Sequence, residues 1–221
     1  MVILNFKDHD MKIKQLQDKH QYKKITNDPT EKKERLINRK LHIRYQDILV
    51  SFDVTDLFTN VPTSETFQII RQRLLNDNSL PLRTNKKIDA IMELMTICLQ
   101  STYFQYNKEF YEQTDNLAMG SPPSLILADI FMEDFEERAL SSTPINPSFY
   151  RRYVNDTFFI WPHGHEKLPV FLEHLNSVDK RIHFTMEIEE QNRLPFVDIL
   201  IIRQERKITT TVYRKLTHTN R

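Results

Sequence analysis

Asp53 closes the apolar run Ile48-Leu-Val-Ser-Phe-Asp-Val54, and Asn155-Asp156 lies about a hundred residues later between two aromatic stretches. A carboxylate on one strand facing carboxylates on a neighbouring hairpin is what two-metal phosphoryl transfer needs. Mg²⁺ takes hard oxygen ligands and fills its remaining positions with water and substrate phosphates. Two such ions, about 3.5–4 Å apart, activate the attacking oxygen and stabilise the leaving one. An Asp in a turn is equally an ordinary turn residue, so the pair gains meaning only from its surroundings. Other chemistry is poorly supplied. His163 and His165 flank Gly164 in a loop-like stretch and lack Cys partners or helical metal-ligand spacing. Cys98 is the single cysteine, which excludes a disulfide scaffold or a Cys-based zinc site and fits a reducing compartment. It falls on an apolar helix face and reads as a core residue.

The elements that must position these groups follow from hydrophobic patterning. Residues 48–54 read as a buried strand ending in a carboxylate, 56–62 as a loop, and Thr63 opens a helix with Phe67, Ile70 and Leu74 on one face. A Pro-Leu-Arg-Thr turn precedes an amphipathic helix marked by Ile88, Ile91, Met92, Met95 and Leu99. Thr102–Tyr106 and Glu109–Gln113 flank Asn107-Lys108 as an aromatic hairpin, whose turn is weaker than Asn-Gly because Lys resists a positive φ. Its rings could stack on bases or pack across the hairpin. Residues 123–140 read as a helix, Phe149–Trp161 as a second hairpin tipped by Asn155-Asp156, and Glu166–Ser177 as a short helix. The alternation of Ile182, Phe184, Met186 and Ile188 marks a half-buried strand, and Leu194–Ile202 with Ile208–Tyr213 completes an antiparallel set. Helices segregated over an antiparallel sheet make an α+β domain.

The chain of 221 residues carries 31 Lys+Arg against 30 Asp+Glu, but the balance is uneven. Residues 1–45 hold 12 basic and 6 acidic residues, and the remainder is net acidic. A basic N-terminal segment can neutralise nucleic-acid phosphates, or it can be a solvated helix face. Asp28-Pro29-Thr30-Glu31 signals a helix start within it. With two glycines in all, Gly-rich phosphate loops are excluded, and few positions can turn left-handed cheaply. No apolar run suits a signal peptide or a membrane span, so an intracellular place, nucleus or cytoplasm, is expected, with no membrane partner.

Three segments carry a resemblance. Ser51-Phe-Asp-Val-Thr-Asp-Leu-Phe-Thr-Asn-Val-Pro62, Asn116-Leu-Ala-Met-Gly-Ser-Pro122 and Arg152-Tyr-Val-Asn-Asp156, in that order, resemble motifs A, B and C of reverse-transcriptase palms. Leu194-Pro-Phe-Val-Asp-Ile-Leu200 and Tyr213-Arg-Lys-Leu-Thr-His-Thr219 resemble later palm segments of the Penelope-like retroelement group, and Tyr22–Thr30 resembles the stretch upstream of its fingers. The resemblance implies a palm-like antiparallel sheet with helices on one face over residues 46–221, preceded by a mostly helical extension over 1–45. It implies RNA-directed DNA synthesis from dNTPs on an RNA template and a DNA primer, with Mg²⁺ held by Asp53 and Asp156. Phe58 would be the gate that packs against the sugar and rejects a 2′-hydroxyl, although a buried Phe also serves as an ordinary loop anchor. Gln113, Met119, Gly120, Ser121, Pro122 and Tyr153 would line the nucleotide and template side.

The departures are specific. Asn155 stands where the family has the first carboxylate of its Tyr-x-Asp-Asp tetrad, and a neutral amide brings no charge to a dication. Asn116 replaces a glycine, Pro123 and Leu125 interrupt the pattern after Gly-Ser-Pro, few residues separate Leu41 from Ile48 where the fingers would lie, and the sequence ends at Arg221 before a thumb. The expectation is weak or lost Mg²⁺ binding and a polymerase activity severely reduced or absent. Three readings stay open: an active enzyme, a non-catalytic nucleic-acid-binding module using the basic N-terminus, and a relic that folds poorly.

Overall fold

The computed structural model describes residues 43–100, 103–112, 116–118 and 121–213. The expected helices of residues 1–42, together with Gln113, Met119, Gly120 and the stretch from 214 onward, lie outside the described residues.

The order is β1 (Ile48–Thr55), α1 (Leu57–Asn60), α2 (Thr63–Asn76), α3 (Leu80–Arg83), α4 (Ile88–Gln100), β2 (Tyr103–Tyr106), β3 (Glu109–Glu112), α5 (Pro122–Ser141), β4 (Phe149–Tyr153), β5 (Asp156–Trp161), a 3₁₀ turn (His165–Lys167), α6 (Leu168–Val178), β6 (His183–Ile188), β7 (Arg193–Phe196), β8 (Ile199–Gln204) and β9 (Lys207–Val212). Strands β4-β5-β1-β6 form one antiparallel sheet, β2-β3 a separate hairpin, and β7-β8-β9 a second antiparallel sheet. The domain is α+β, as the patterning implies.

Strand β1 is central because its run Ile48–Phe52 is buried on both faces. Val50, Phe52 and Val54 face the helices, joining Phe159 and Trp161 of β5, Phe131 and Phe135 of α5, and Phe171 and Leu175 of α6. Leu49 points the other way, with Phe158 and Ile160, into a second core closed by Leu194, Phe196, Ile199 and Ile201 of the small sheet. Ile43 joins that second core, upstream of the expected start of the domain at residue 46. Each fully buried Leu or Phe contributes on the order of 1.5–3 kcal/mol. The single tryptophan, Trp161, is fully buried; its Nε1–H donates to the Gly164 carbonyl at 2.9 Å, and its ring lies 4.9 Å from Phe171.

Helix α5 begins with prolines in its first turn, where their missing N–H costs nothing. It ends at Ser142, whose hydroxyl donates to the Arg138 carbonyl at 2.7 Å. Between β1 and α2, the segment expected as a plain loop contains the one-turn α1. The Pro-Leu-Arg-Thr turn is likewise the one-turn α3. The run Leu194–Ile202 is two strands, not one: it folds back at Val197-Asp198, with Val197 left-handed at φ 57°. Cys98, expected in the core, is exposed, because Met92, Met95 and Leu99 form the face of α4 that packs.

Nine described residues other than glycine have positive φ, among them Asp56, Asn107, Lys108, Val154 and Val197. Four of the nine are Asp or Asn, which tolerate that conformation; on the others, such as Val154 and Val197, it costs about 1–2 kcal/mol. In the β2-β3 hairpin, Tyr103 and Phe110 meet edge-on across the strands at 6.1 Å, yet both are about 70% exposed, at 71% and 70%. Among the described residues no helix is long and apolar enough to cross a membrane.

Candidate active site on the open end of the sheet

The antiparallel register brings the two predicted carboxylates together. Asp53 pairs directly with Asp156 on β5, and on its other side with Thr185 of β6; Asp156 in turn pairs with Tyr153 of β4. Directly opposed residues project from the same face with Cβ atoms about 4.5–5.5 Å apart. Alternation along β1 puts Asp53 on the face of Leu49 and Ser51. One row across this face is therefore Tyr153, Asp156, Asp53 and Thr185, and the next is Arg151, Phe158, Ser51 and Glu187. The small sheet covers Leu49, Phe158 and Ile160, and Asp53 at the other end of β1 is exposed.

The hairpin tip differs by one residue from expectation. Val154 and Asn155 form the turn, and Asp156 is the first residue of β5. Val154 is left-handed at φ 58°, which is unfavourable for a β-branched residue and places local strain at the site. This geometry sends the Asn155 side chain across to β1: its Nδ2 donates to Asp53 Oδ1 at 2.5 Å, while the Asn155 backbone carbonyl accepts from the Val54 N–H at 3.0 Å. The amide therefore supplies Asp53 with a hydrogen-bond donor and no charge.

Behind the tip, Arg152 faces the helices. Its guanidinium donates to Asp129 Oδ1 at 2.6 Å, to Glu136 and, at 3.4 Å, to the Val154 carbonyl, so it fastens the turn to α5. Its side chain is 8% exposed and that of Glu136 17%. Burial pushes the Glu136 carboxyl above its ordinary value, against the pull of Arg152. Burial and the facing Glu136 likewise push the Tyr150 hydroxyl up. Burial works against the Arg152 charge, but Glu136 and Asp129 outweigh it and hold the guanidinium above its usual value. Sequence reading missed this group.

Phe58 sits on α1, half-buried against the main core, and its carbonyl accepts the Leu117 N–H at 3.0 Å. The anchoring contact is thus present, and it ties residues 116–118 to the segment after β1. Ser121 precedes α5 with its N–H on the Ala118 carbonyl at 3.3 Å, and Pro122 is the first helical residue. Tyr153 is 38% exposed beside Asp156.

Among the described residues no cluster of three or more His, Cys, Asp or Glu side chains could hold a metal ion. Two carboxylates in direct register are the hard-oxygen set that one Mg²⁺ uses, with water and phosphate completing it. They do not fit a pair of ions, because the residue beside them at the turn is the neutral amide Asn155.

No protein-family model and no curated protein matches the sequence. Two solved structures resemble the fold. Against apo telomerase from Candida tropicalis, truncated from its C-terminal domain, the TM-score is 0.57 at 14% identity, covering 84% of this chain and 40% of that one. Against telomerase from Candida albicans, in complex with a TWJ fragment of telomeric RNA, it is 0.59 at 13% identity, covering 86% and 34%. The chain thus spans less than half the length of either. Telomerase is a reverse transcriptase, and at these identities the likeness is one of fold: the chain has a reverse-transcriptase-like fold.

Proposed function

We propose that this chain is the palm-like part of a reverse transcriptase of Penelope-like descent, with its nucleotidyl-transfer site centred on Asp53 and Asp156. The observation that carries the reading is the direct cross-strand pairing of these two acids on an open face. The order of the three motif-like segments and the telomerase-like fold support it. In this reading Asp53 and Asp156 would hold one Mg²⁺, which when bound supplies a Lewis acid for the attacking 3′-hydroxyl and for the phosphate charge. The remaining work falls to the chain. Phe58 would pack against the sugar, and Ser121 and Pro122, with Gln113, Met119 and Gly120, would border the nucleotide and template. An RNA template, a DNA primer and dNTPs are the partners this descent implies, and the nucleus or cytoplasm its place of action.

Asn155 makes the site a weak one. Its N–H occupies an Asp53 oxygen and removes a negative charge from the set. Every 1.4 kcal/mol of lost transition-state stabilisation is about tenfold in rate, and the loss of a charged ligand amounts to several such steps. Primer extension on an RNA template with Mg²⁺, comparing the wild type with Asn155→Asp, tests the reading. The wild type is expected to extend little or nothing and Asn155→Asp measurably more. Manganese binding, followed by the loss of the free-ion paramagnetic signal, should weaken in Asp53→Asn and Asp156→Asn. A protein that takes up no manganese in any form, and never extends a primer, refutes the assignment. The Asn155–Asp53 hydrogen bond favours a second reading, a non-catalytic nucleic-acid-binding module. In that case binding is salt-sensitive, Asp53→Asn leaves it unchanged, and removal of residues 1–45 abolishes it.

A further inference from the structure

At the far end of the sheet, about 13 Å along β5 from Asp156 by the rise of four strand residues, the surface dips into a cleft of about 1100 Å³. Its floor is apolar, made by Ile43, Phe149 and Ile160, and its walls carry Arg44, Arg206 and Lys207. Among the described residues none of these three cations makes an ion pair. The cleft holds one carboxylate, Asp47, which is 3% exposed. One of its oxygens accepts the Arg44 backbone N–H at 2.7 Å, and the other has no hydrogen-bond partner. Tyr45 stands on the rim, 77% exposed, and joins this cleft to a neighbouring hollow of about 400 Å³ that shares Arg206 and Lys207, with Glu205 at its edge.

The cleft is connected to the carboxylate row. Along the outer strand β4, Phe149, Arg151 and Tyr153 lie on the same face; Phe149 lines the cleft and Tyr153 pairs with Asp156. Arg151 sits between them with its guanidinium 5.7 Å from the Phe149 ring centre, and it too makes no ion pair among the described residues. Unpaired cations along a path that carries the exposed rings of Tyr45 and Tyr153 and the half-buried ring of Phe149 match a single nucleic-acid strand, whose phosphates need positive charge and whose bases stack on an aromatic face.

The geometry points to a second contact site for nucleic acid: the trough of Arg44, Tyr45, Arg206 and Lys207, reached along Arg151, holds a single-stranded segment two to four nucleotides from the carboxylates. This inference rests on the proposed polymerase reading insofar as it takes the polyanion to be nucleic acid. The test uses the full chain and a labelled single-stranded RNA of about ten nucleotides carrying one 4-thiouridine. Anisotropy at two salt concentrations gives affinity, and photo-crosslinking with peptide mapping gives position. The double variant Arg206→Glu/Lys207→Glu should bind about tenfold or more weakly, with the salt slope reduced by roughly 0.7 per lost phosphate contact. Tyr45→Ala should lose about tenfold, with crosslinks falling on Tyr45 or Phe149 in the wild type. Both changes lie on exposed side chains, and an unchanged thermal melt confirms folding. Unchanged affinity in both variants, or crosslinks confined to other segments, overturns the inference. Equal displacement of the RNA by UMP overturns it as well, since the trough is then a mononucleotide site. Manganese binding at Asp53 and Asp156 is independent of Arg206 and Lys207, so loss of that binding alone would count against the polymerase reading and not against the trough.

Discussion

Replacing Arg152 with Ala should be among the most damaging single changes in this domain, with a signature in pH. The guanidinium is shared between Asp129, 57% exposed, and Glu136, 17% exposed. Without Arg152, Asp129 turns to water at little cost, whereas Glu136 stays buried beside Tyr150 with no cation. Breaking a buried pair in this way costs about 3–5 kcal/mol, out of a total stability on the order of 5–15 kcal/mol. For a domain of this size that is a fall in melting temperature of roughly 6–20 °C. The carboxyl of Glu136 is already raised by burial. Its folded form therefore keeps a proton to higher pH than its unfolded form, and stability from this group falls as pH rises through the folded value. Removing Arg152 raises that value further, so the loss should be larger at pH 8 than at pH 5, because a protonated Glu136 leaves no buried charge without a partner. Urea unfolding followed by circular dichroism at both pH values measures it. The double variant Arg152→Ala/Glu136→Gln should recover most of the loss at pH 8, because no buried charge is then left alone. A penalty below about 1 kcal/mol at pH 8, or one equal at both pH values, would refute the reasoning.

Other consequences are open to measurement. The Arg181 side chain, with its backbone N–H, holds the Asp179 carboxyl below its ordinary value, so its contribution is present above about pH 4 and is lost as pH falls through the lowered value. Asp179→Asn should cost about 1 kcal/mol at neutral pH, allowing for the exposure of Arg181, and flatten the acid limb of the stability profile. Lys108→Gly relieves a left-handed backbone at φ 67° and should strengthen the β2-β3 hairpin by up to about 1 kcal/mol, read as slower amide exchange there. Phe171→Ala opens a void among Phe52, Phe159 and Trp161 and should cost about 3–5 kcal/mol in urea unfolding, with a red shift of Trp161 emission in the folded state.

The sequence announces the site better than it announces the turns around it. β1 is legible because a run buried on both faces needs no alternation, and the acid that ends it marks where burial stops. That Asp53 and Asp156 meet is a property of register, and only the resemblance foretold it. The β4-β5 tip is misplaced by one residue because Asn-Asp is turn-like and Val is the strongest strand former nearby. Strand pairing from both sides holds Val154 in the turn regardless. The same override hides the break at Val197-Asp198, where the turn signals Pro195 and Asp198 flank a β-branched residue that takes the left-handed position. The stripe Ile88, Ile91, Met92, Met95 and Leu99 does contain the residues that pack, Met92, Met95 and Leu99; Cys98 lies at its edge, where the apolar pattern does not decide burial. The Arg152 cluster and the basic trough assemble from segments far apart in the chain, and no local spacing encodes them.

Because β1 takes Trp161 and Phe159 as neighbours on one side and β6, some 130 residues downstream, on the other, the domain cannot be dissected in the middle. A fragment ending anywhere before residue 183 would leave the most apolar strand with a bare hydrogen-bonding edge, a template for self-association. Shortened forms for crystallisation or expression should therefore be trimmed from the two ends inward and never split between α6 and β6.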